Sequence, residues 1–378
     1  MAVKIPILQI VHGTDSPFLE LAGRYAGVFD RERFEVTTVF LTGADDARVQ
    51  KLANSDRVLC LGLSSRDLAG MKRAAIKPVR ELCLQTDYAL IIAQRYKALY
   101  VAWQVAKHMS KPRVLGVAHA FGVMDSWGRR LLFRMHRQYT WLAGVSQSVA
   151  DDMKADCGAG LADRIVSLPN CVDTAALDKG LFPKAVARNV LDLPEQAFVF
   201  GNVGRLHPDK DPLSLVDAFA RAATDMPDAC LVLIGEGHLR DPLQARIAAL
   251  GLQSRVRLLG KVANAWRLFA AFDAYVSTSD REPFGIVLNE AQAARVPVIA
   301  ADCGGAGEVV ADSGLLYSRA QPEQLDARLL QLYRMSADAR RALGERGHAR
   351  LQQEYSLAAF AERFKRLEAV QALWEHDA

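Results

Sequence analysis

Two short stretches of this chain carry residue types whose spacing could do chemistry. In Gly201-Asn202-Val203-Gly204-Arg205-Leu206-His207-Pro208-Asp209-Lys210-Asp211-Pro212, an apolar run ends in glycine and two cations flank the start of a helical pattern. Gly204 lets backbone approach a ligand, Arg205 offers a planar fork to phosphate oxygens, and Lys210 offers a point charge. A helix N-terminus adds N–H donors and the positive end of a dipole. Anion binding is the chemistry implied, and a pair of solvated loop cations is the plainer alternative. The second stretch is Ser279-Asp280-Arg281-Glu282-Pro283-Phe284-Gly285-Ile286-Val287-Leu288-Asn289-Glu290-Ala291. It places Glu282 in a loop after a strand and Glu290 about a turn into the next helix. Pro283 and Gly285 shape that loop so that consecutive amides can face one point and hold a diphosphate, while Glu290 accepts from ligand hydroxyls. His12, His207 and His238 read as loop residues or phosphate neighbours rather than acid–base groups.

The elements that position these residues follow from periodicity. Nearly continuous apolar runs of four to seven residues, as expected for parallel strands buried on both faces, occur at Ile5–Val11, Phe34–Phe40, Arg57–Leu61, Ala89–Ile92, Val114–Ala118 and Trp141–Val145. A second series runs through Phe198–Val203, Cys230–Ile234, Val256–Leu259, Ala274–Thr278 and Val298–Ala300. Helical patterns alternate with them, among them Phe18–Phe29, Ala98–His108, Pro212–Ala223, Pro242–Leu250, Ala263–Ala271 and Ile286–Ala294. Strand and helix alternating at this spacing predict an α/β chain with two Rossmann-like, doubly wound parallel sheets. Ligands of such folds sit beyond the carboxyl ends of the strands, so a central cleft is the expected site. The Gly/Pro-punctuated stretch Leu177–Lys184 suits a linker. The expected domains are residues 1–180, residues 181–354, and a terminal amphipathic helix within 355–378 that packs at home or crosses to the first domain.

Composition bounds the function. With 378 residues, 47 Lys+Arg, 43 Asp+Glu and a net charge of +4, the chain is an ordinary globular one. Its length predicts two domains of about 190 residues each. Residues 1–182 carry 24 basic and 18 acidic side chains, and 183–378 carry 23 and 25, so each half is expected to meet a different partner. The clustering with aromatics that a nucleic-acid binder needs is missing. No run approaches the ~18 apolar residues of a membrane span, and the N-terminus reads as a first strand rather than a signal segment. Cysteines at 60, 83, 157, 171, 230 and 303 show neither paired metal spacing nor a disulfide framework, which predicts a reducing, cytoplasmic setting.

The second half resembles the nucleotide-binding domain of a family 4 retaining glycosyltransferase of the GT-B fold. The resemblance rests on Gly204-Arg205-Leu206 with Lys210, Leu233-Ile234-Gly235-Glu236-Gly237, Leu259-Gly260-Lys261-Val262, and the Glu282–Glu290 motif. The first half resembles it more loosely, through His119, Val145-Ser146 and Leu168-Pro169-Asn170-Cys171-Val172-Asp173. The resemblance implies that Arg205 and Lys210 clamp the donor diphosphate and that Glu290 holds the ribose hydroxyls. It puts Glu282 and His119 at the donor sugar, with backbone amides around Phe284, Gly285, Ile286 and Val287 on sugar or phosphate. It puts the base near Lys261 and Val262, and Gly13 and Thr14 in the loop after the first strand. Two departures stand out: that loop has a single glycine, Gly13, and Cys171 occupies the usual glycine position after Asn170.

The implied reaction is transfer of a sugar from a nucleotide diphosphate donor, UDP-sugar favoured over GDP-sugar, to a glycan or glycolipid acceptor. Cations and amides aimed at the departing diphosphate supply electrophilic assistance. No Asp-x-Asp motif stands where a GT-A enzyme would need one, so no metal or other cofactor is expected. Same-face substitution with retention is preferred to a covalent intermediate on Glu282. A sugar-nucleotide epimerase and a silent nucleotide-sugar-binding scaffold are the alternatives. By analogy the setting is bacterial lipopolysaccharide core or envelope polysaccharide synthesis at the cytosolic face of the inner membrane. The stretch Trp127–Arg137 alternates Arg129, Arg130, Arg134 and Arg137 with apolar residues. It reads either as a helix with its Leu/Phe/Met face in the core or as a contact for anionic membrane.

Overall fold

A computed structural model describes residues 3–15 and 18–375. It comprises two compact units, residues 1–171 with 360–378, and residues 172–359. The first is built on a seven-stranded parallel sheet of β1 (Ile5–Val11), β2 (Phe34–Phe40), β3 (Arg57–Cys60), β4 (Leu90–Gln94), β5 (Val114–Ala118), β6 (Thr140–Gly144) and β7 (Ile165–Ser167). Its order is β3-β2-β1-β4-β5-β6-β7. The second holds β8 (Phe198–Val203), β9 (Ala229–Ile234), β10 (Val256–Gly260), β11 (Ala274–Ser277), β12 (Val298–Ala301) and β13 (Leu315–Tyr317), in the order β10-β9-β8-β11-β12-β13. In each sheet the order reverses beside the first strand, at β1/β4 and β8/β11, and the two connections there diverge to leave a crevice.

The central strands are buried on both faces, which is why they read as apolar runs. Where polar residues enter the first sheet they pair across it. The Gln9 amide donates to Thr38 Oγ1 and to the Ala22 carbonyl, both at 3.1 Å, and Gln94 Nε2 donates to Gln9 Oε1 at 3.2 Å. This ladder across β2, β1 and β4 fixes register at the strands that flank the crevice, since an unpaired amide there would cost about 1–3 kcal/mol. In the second unit Phe198, Phe200, Phe219, Leu231 and Leu233 form the heart of the core between sheet and helices.

Four local expectations change. The linker reading at 177–184 gives way to two helices, Thr174–Gly180 and Lys184–Val190. Gly180 ends the first against Trp266, whose ring would stand 2.2 Å from an added Cβ, and Arg267 donates to the Gly180 carbonyl at 2.9 Å. The glycine there serves close packing rather than mobility. The terminal helix of 355–375 is interrupted: Tyr355 closes a helix from Ala337, Ser356 is extended, and a helix Leu357–Arg366 is followed by turns. Its Phe360 and Phe364 lie edge-on to buried Tyr25, at 4.8 and 6.1 Å, and Trp374 stacks on Phe29 at 5.7 Å, so this segment completes the first unit's core. Ala265–Ala271 is a 3-10 helix. Finally, the helix Trp127–His136 buries only Phe133, leaving Trp127, Leu131 and Met135 71, 44 and 63 % exposed. The expectation of a Leu/Phe/Met face in the core holds for the phenylalanine alone.

Candidate active site

In the second unit the crevice beside β8 gathers the two stretches singled out above. After β8, Gly204 donates to the Ile234 carbonyl at 3.0 Å and Leu206 to Glu236 at 2.9 Å, so the loop is stitched to the end of β9. This needs Gly235, where an added Cβ would lie 1.7 Å from the Gly204 carbonyl oxygen. Gly204 itself faces open space. The chain then makes a short 3-10 turn, Pro208–Lys210, and enters the helix Pro212–Ala222 through Asp211, a left-handed residue at φ 44°. Proline at the first helical position and aspartate before it are a strong start signal.

The turn bearing Lys210 is fixed from β11. Thr278 Oγ1 donates to the carbonyls of Lys210 and Asp211, both at 2.9 Å, and Asp280 N donates to the Asp209 carbonyl at 3.0 Å. Arg319, which follows β13, donates to the Thr278 carbonyl at 2.7 Å and to Asp211 Oδ2 at 3.0 Å. So held, Lys210 Nζ meets Glu282 Oε2 at 2.6 Å, and Ser279 Oγ donates to the same oxygen at 3.3 Å. The carboxylate is only 14 % exposed and the ammonium 24 %, so the pair lies in a medium where charges act more strongly than in water.

The loop carrying Glu282 is also pinned. Gly305 N donates to the Glu282 carbonyl at 2.7 Å, and a Cβ on Gly305 would stand 2.6 Å from the Pro283 carbonyl. Gly285, at φ +97°, turns the chain into the helix Ile286–Ala293, which has no side-chain cap. Its first-turn amides therefore open toward the crevice with the positive end of the helix dipole. Glu290 lies one turn further on. Burial chiefly, and then the charges of Glu282 and Glu290, push the Tyr275 hydroxyl well above its ordinary pKa, which places both carboxylates about this buried ring. A small pocket lies between the two loops, lined by Gly204, Lys210, Ser279, Glu282, Gly285 and Val287. Glu290 and Ile286 are not among the residues that line it. A cation, an uncapped helix start and the Glu282 carboxylate around one hollow can hold a diphosphate and accept from hydroxyls.

Other expected residues lie elsewhere. The Arg205 side chain is 68 % exposed and pairs with Asp209 at 2.9 Å. Phe284 is buried edge-on against Tyr355, so only its backbone can serve a ligand. Lys261 and Val262 follow β10, beyond β9, and do not line the pocket. Asp209-Lys210-Asp211 has Asp-x-Asp spacing, but Asp209 binds Arg205 and Asp211 binds Arg319. Asn202, Tyr275, Ser277 and Ser279 also line the pocket and were not legible as site residues. Only the adjacency of β8 and β11 brings them together.

The first unit has its own crevice beside β1. A Cβ on Gly13 would meet Thr42 Oγ1 at 2.5 Å, so the single glycine is required where the loop crosses the start of the next one. Thr14 lies against Gly43, where an added Cβ would be 2.0 Å from its Oγ1, so the small residue needed for that contact stands on the facing loop. His119 follows β5; its Nε2 is buried with no partner, and Phe18 meets its ring edge-on at 5.6 Å. Burial, and then the Arg95 charge, bring its pKa down to about 3, so the imidazole is neutral at physiological pH. The His12 pKa is lowered too, by burial and then by Arg95 and Lys97, against a smaller raising effect of Asp15.

Comparison with known proteins shows which family the chain resembles in sequence and fold. Residues 183–350 match the model of glycosyl transferases group 1, and residues 24–176 that of glycosyltransferase family 4. A lipopolysaccharide core biosynthesis glycosyltransferase, LpsE of Rhizobium meliloti, is 32 % identical over 48 % of this chain and 53 % of its own. A GDP-mannose-dependent monoacylated phosphatidylinositol monomannoside mannosyltransferase of Corynebacterium glutamicum is 30 % identical over 68 % of this chain and 70 % of its own. The chain spans about half the length, or less, of the first curated relatives it matches. Among solved structures, Anabaena HepE in complex with UDP and glucose superposes with a TM-score of 0.76 at 22 % identity, covering 98 % of this chain and 99 % of that one. Two parallel sheets with reversal points beside their first strands, and matches that run through both halves, establish that the chain has the GT-B fold and belongs to the group 1, family 4 glycosyltransferases.

Proposed function

We propose that this chain transfers a sugar from a nucleotide diphosphate donor to a glycan or glycolipid acceptor, with retention and without a metal. The observation that carries this reading is the Lys210–Glu282 pair beside the uncapped helix start at Gly285. Lys210 and the amides of Ile286 and Val287 are placed to take the negative charge that develops on the leaving diphosphate. Arg205, exposed at the rim, turns from Asp209 to the same phosphates. Glu290 takes the ribose hydroxyls and Glu282 the sugar, while neutral His119 donates to or accepts from the sugar without carrying charge. The diphosphate oxygen takes the acceptor proton as the new bond forms on the face the leaving group vacates. UDP-sugar is favoured over GDP-sugar on the HepE complex with UDP, while the Corynebacterium mannosyltransferase, named as GDP-mannose-dependent, supports the second donor.

The setting proposed is bacterial lipopolysaccharide core or envelope polysaccharide synthesis at the cytosolic membrane face, supported by the LpsE similarity. No helix among the described residues is long and apolar enough to cross a membrane. Contact with anionic membrane is supported by the exposed ridge Trp127, Leu131 and Met135, spaced four apart, beside exposed Arg134 and Arg137. Arg129 and Arg130 turn back to the carbonyls of Val123 and Met124 and do not join that ridge.

A thermal-shift panel of UDP, GDP, ADP and CMP with their sugar conjugates, with and without EDTA, tests the donor reading. A rise with one nucleoside diphosphate that EDTA leaves unchanged is expected. No rise with any of them refutes it.

A further inference from the structure

The first unit contains a group of cations that the reading above does not use. Between Lys72 and Arg137 thirteen basic side chains stand against three acidic ones, an excess too large for a surface of balanced pairs. Four converge at the carboxyl end of the sheet. Arg95 and Lys97 open the helix Tyr96–Ala106 directly after β4, Lys72 precedes the helix Arg73–Gln85, and Arg129 lies in the first turn of Trp127–His136. Lys72 Nζ lies 4.4 Å from the centre of the Tyr100 ring, the Arg129 guanidinium 4.5 Å from that of Tyr96, and the Arg95 guanidinium 4.9 Å from that of Phe18. Tyr96 and Tyr100 are neighbours on one helix, so their two cations share a face.

These charges oppose one another. Burial and then the charges of Lys97 and Arg129 lower the Lys72 pKa, and burial and then the charges of Arg95 and Lys97 lower that of His12. Arg95 and Lys97 also sit at the positive end of a helix dipole, where cations are disfavoured. Among the described residues Lys72, Arg95 and Lys97 have no carboxylate partner; Arg129 has Asp125 at 3.6 Å, and Asp15 acts on His12. The backbone is strained at the same place: Lys72 has φ 51°, and Arg95 has φ 75° and ψ 159°, a region glycine otherwise occupies. Beside them, His12 Nδ1 and His119 Nε2 are buried without partners. Lys72 Nζ donates to the Gly70 carbonyl at 2.8 Å and Arg129 to that of Val123 at 3.0 Å, which neutralise no charge. Three cations without a carboxylate, strained backbone and unsatisfied ring nitrogens gathered in one place fit a ligand that supplies the missing negative charge.

We infer that Lys72, Arg95, Lys97 and Arg129 form a subsite for a phosphate group on the acceptor. Four cations against two neighbouring aspartates, Asp125 and Asp15, match a phosphate monoester dianion better than a carboxylate. This rests on the glycosyltransferase reading, since it names the acceptor's chemical class. The phosphate can belong to a soluble sugar phosphate or to a lipid head group.

The test is calorimetric titration of the full chain with glucose 6-phosphate, with glucose as the neutral control, and with phosphatidylcholine vesicles with and without phosphatidic acid. Wild type is expected to bind one of the two phosphate probes and neither neutral one. The double variant Lys72→Gln with Lys97→Gln weakens that binding tenfold or more, and Lys97→Arg in place of Lys97→Gln restores much of it. Binding of the sugar phosphate identifies a soluble acceptor, and binding only of the acidic vesicles a lipid one. The inference falls if wild type binds neither probe, if the double variant binds like wild type, or if only Arg130 and Arg134 variants weaken binding. Protection by UDP or GDP, measured on the same proteins, tests the donor site separately. Its persistence leaves the donor reading standing even where the phosphate subsite fails.

Discussion

Replacing Lys210 with methionine separates what its ammonium does for the fold from what it does for a ligand. The substitution keeps the side chain's length and removes the partner 2.6 Å from Glu282, whose carboxylate is 14 % exposed. Orphaning one member of a fully buried pair costs about 3–5 kcal/mol. Glu282 retains the Ser279 hydroxyl at 3.3 Å and some solvent, so a loss of about 1–3 kcal/mol is expected. Adding Glu282→Gln removes the orphaned charge and restores most of that loss. Nucleotide affinity behaves differently. Losing a charged hydrogen bond to the diphosphate weakens it by about 1.5–3 kcal/mol, or about 10- to 150-fold, in the single and double variants alike. Urea unfolding and calorimetric titration with UDP and GDP, run on all four members of the cycle, read both quantities. If Lys210→Met binds the nucleotide as tightly as wild type, the diphosphate does not reach Lys210. If Glu282→Gln fails to rescue stability, the pair is not the source of the loss.

Further outcomes follow from the same geometry. Glu282→Ala should abolish sugar transfer while leaving nucleotide binding nearly intact, measured as turnover against calorimetric affinity; an unchanged rate removes Glu282 from the reaction. Arg205→Ala should lower nucleotide affinity by about 1.5–3 kcal/mol without a change in melting temperature, because its own side chain is 68 % exposed and its pair with Asp209 is screened by solvent. Gly235→Ala should destabilise the second unit by several kcal/mol, since its Cβ would enter the Gly204 carbonyl. A near-normal denaturation midpoint would show that the two loops can separate. Because the folded-state pKa of His119 lies at about 3, the unfolded chain binds the extra proton first as pH falls below 6.5. The ring therefore withdraws stability between pH 6.5 and 3, at no more than about 1.4 kcal/mol per pH unit. His119→Phe should flatten that slope in urea titrations across the window.

Much of this was legible because parallel strands buried on both faces write themselves as apolar runs, and eleven of them could be placed within a residue or two. The two that escaped, Ile165–Ser167 and Leu315–Tyr317, are three-residue strands at sheet edges, too short to carry a period. Lys210 and Glu282 could be found because each sits in a local motif. Ser277 and Tyr275 could not, since a small hydroxyl or a ring on a strand looks like core until the neighbour of that strand is known. Arg319 is a plainer case still: it reaches back 108 residues to Asp211 from a loop with no pattern of its own. The phosphate subsite is of the same kind, its four cations drawn from positions 72 to 129 by the order of β1, β4 and β5.

The interrupted first unit bears on how the protein is made. Tyr25, Phe29 and Phe34 leave the ribosome early, yet the aromatic rings that cover them, Phe360, Phe364 and Trp374, emerge more than three hundred residues later. For most of synthesis the N-terminal sheet therefore waits with an open aromatic face, while residues 172–359 can complete their own core as soon as they emerge. The half made first is the half finished last, and until then its uncovered rings are open to non-native association.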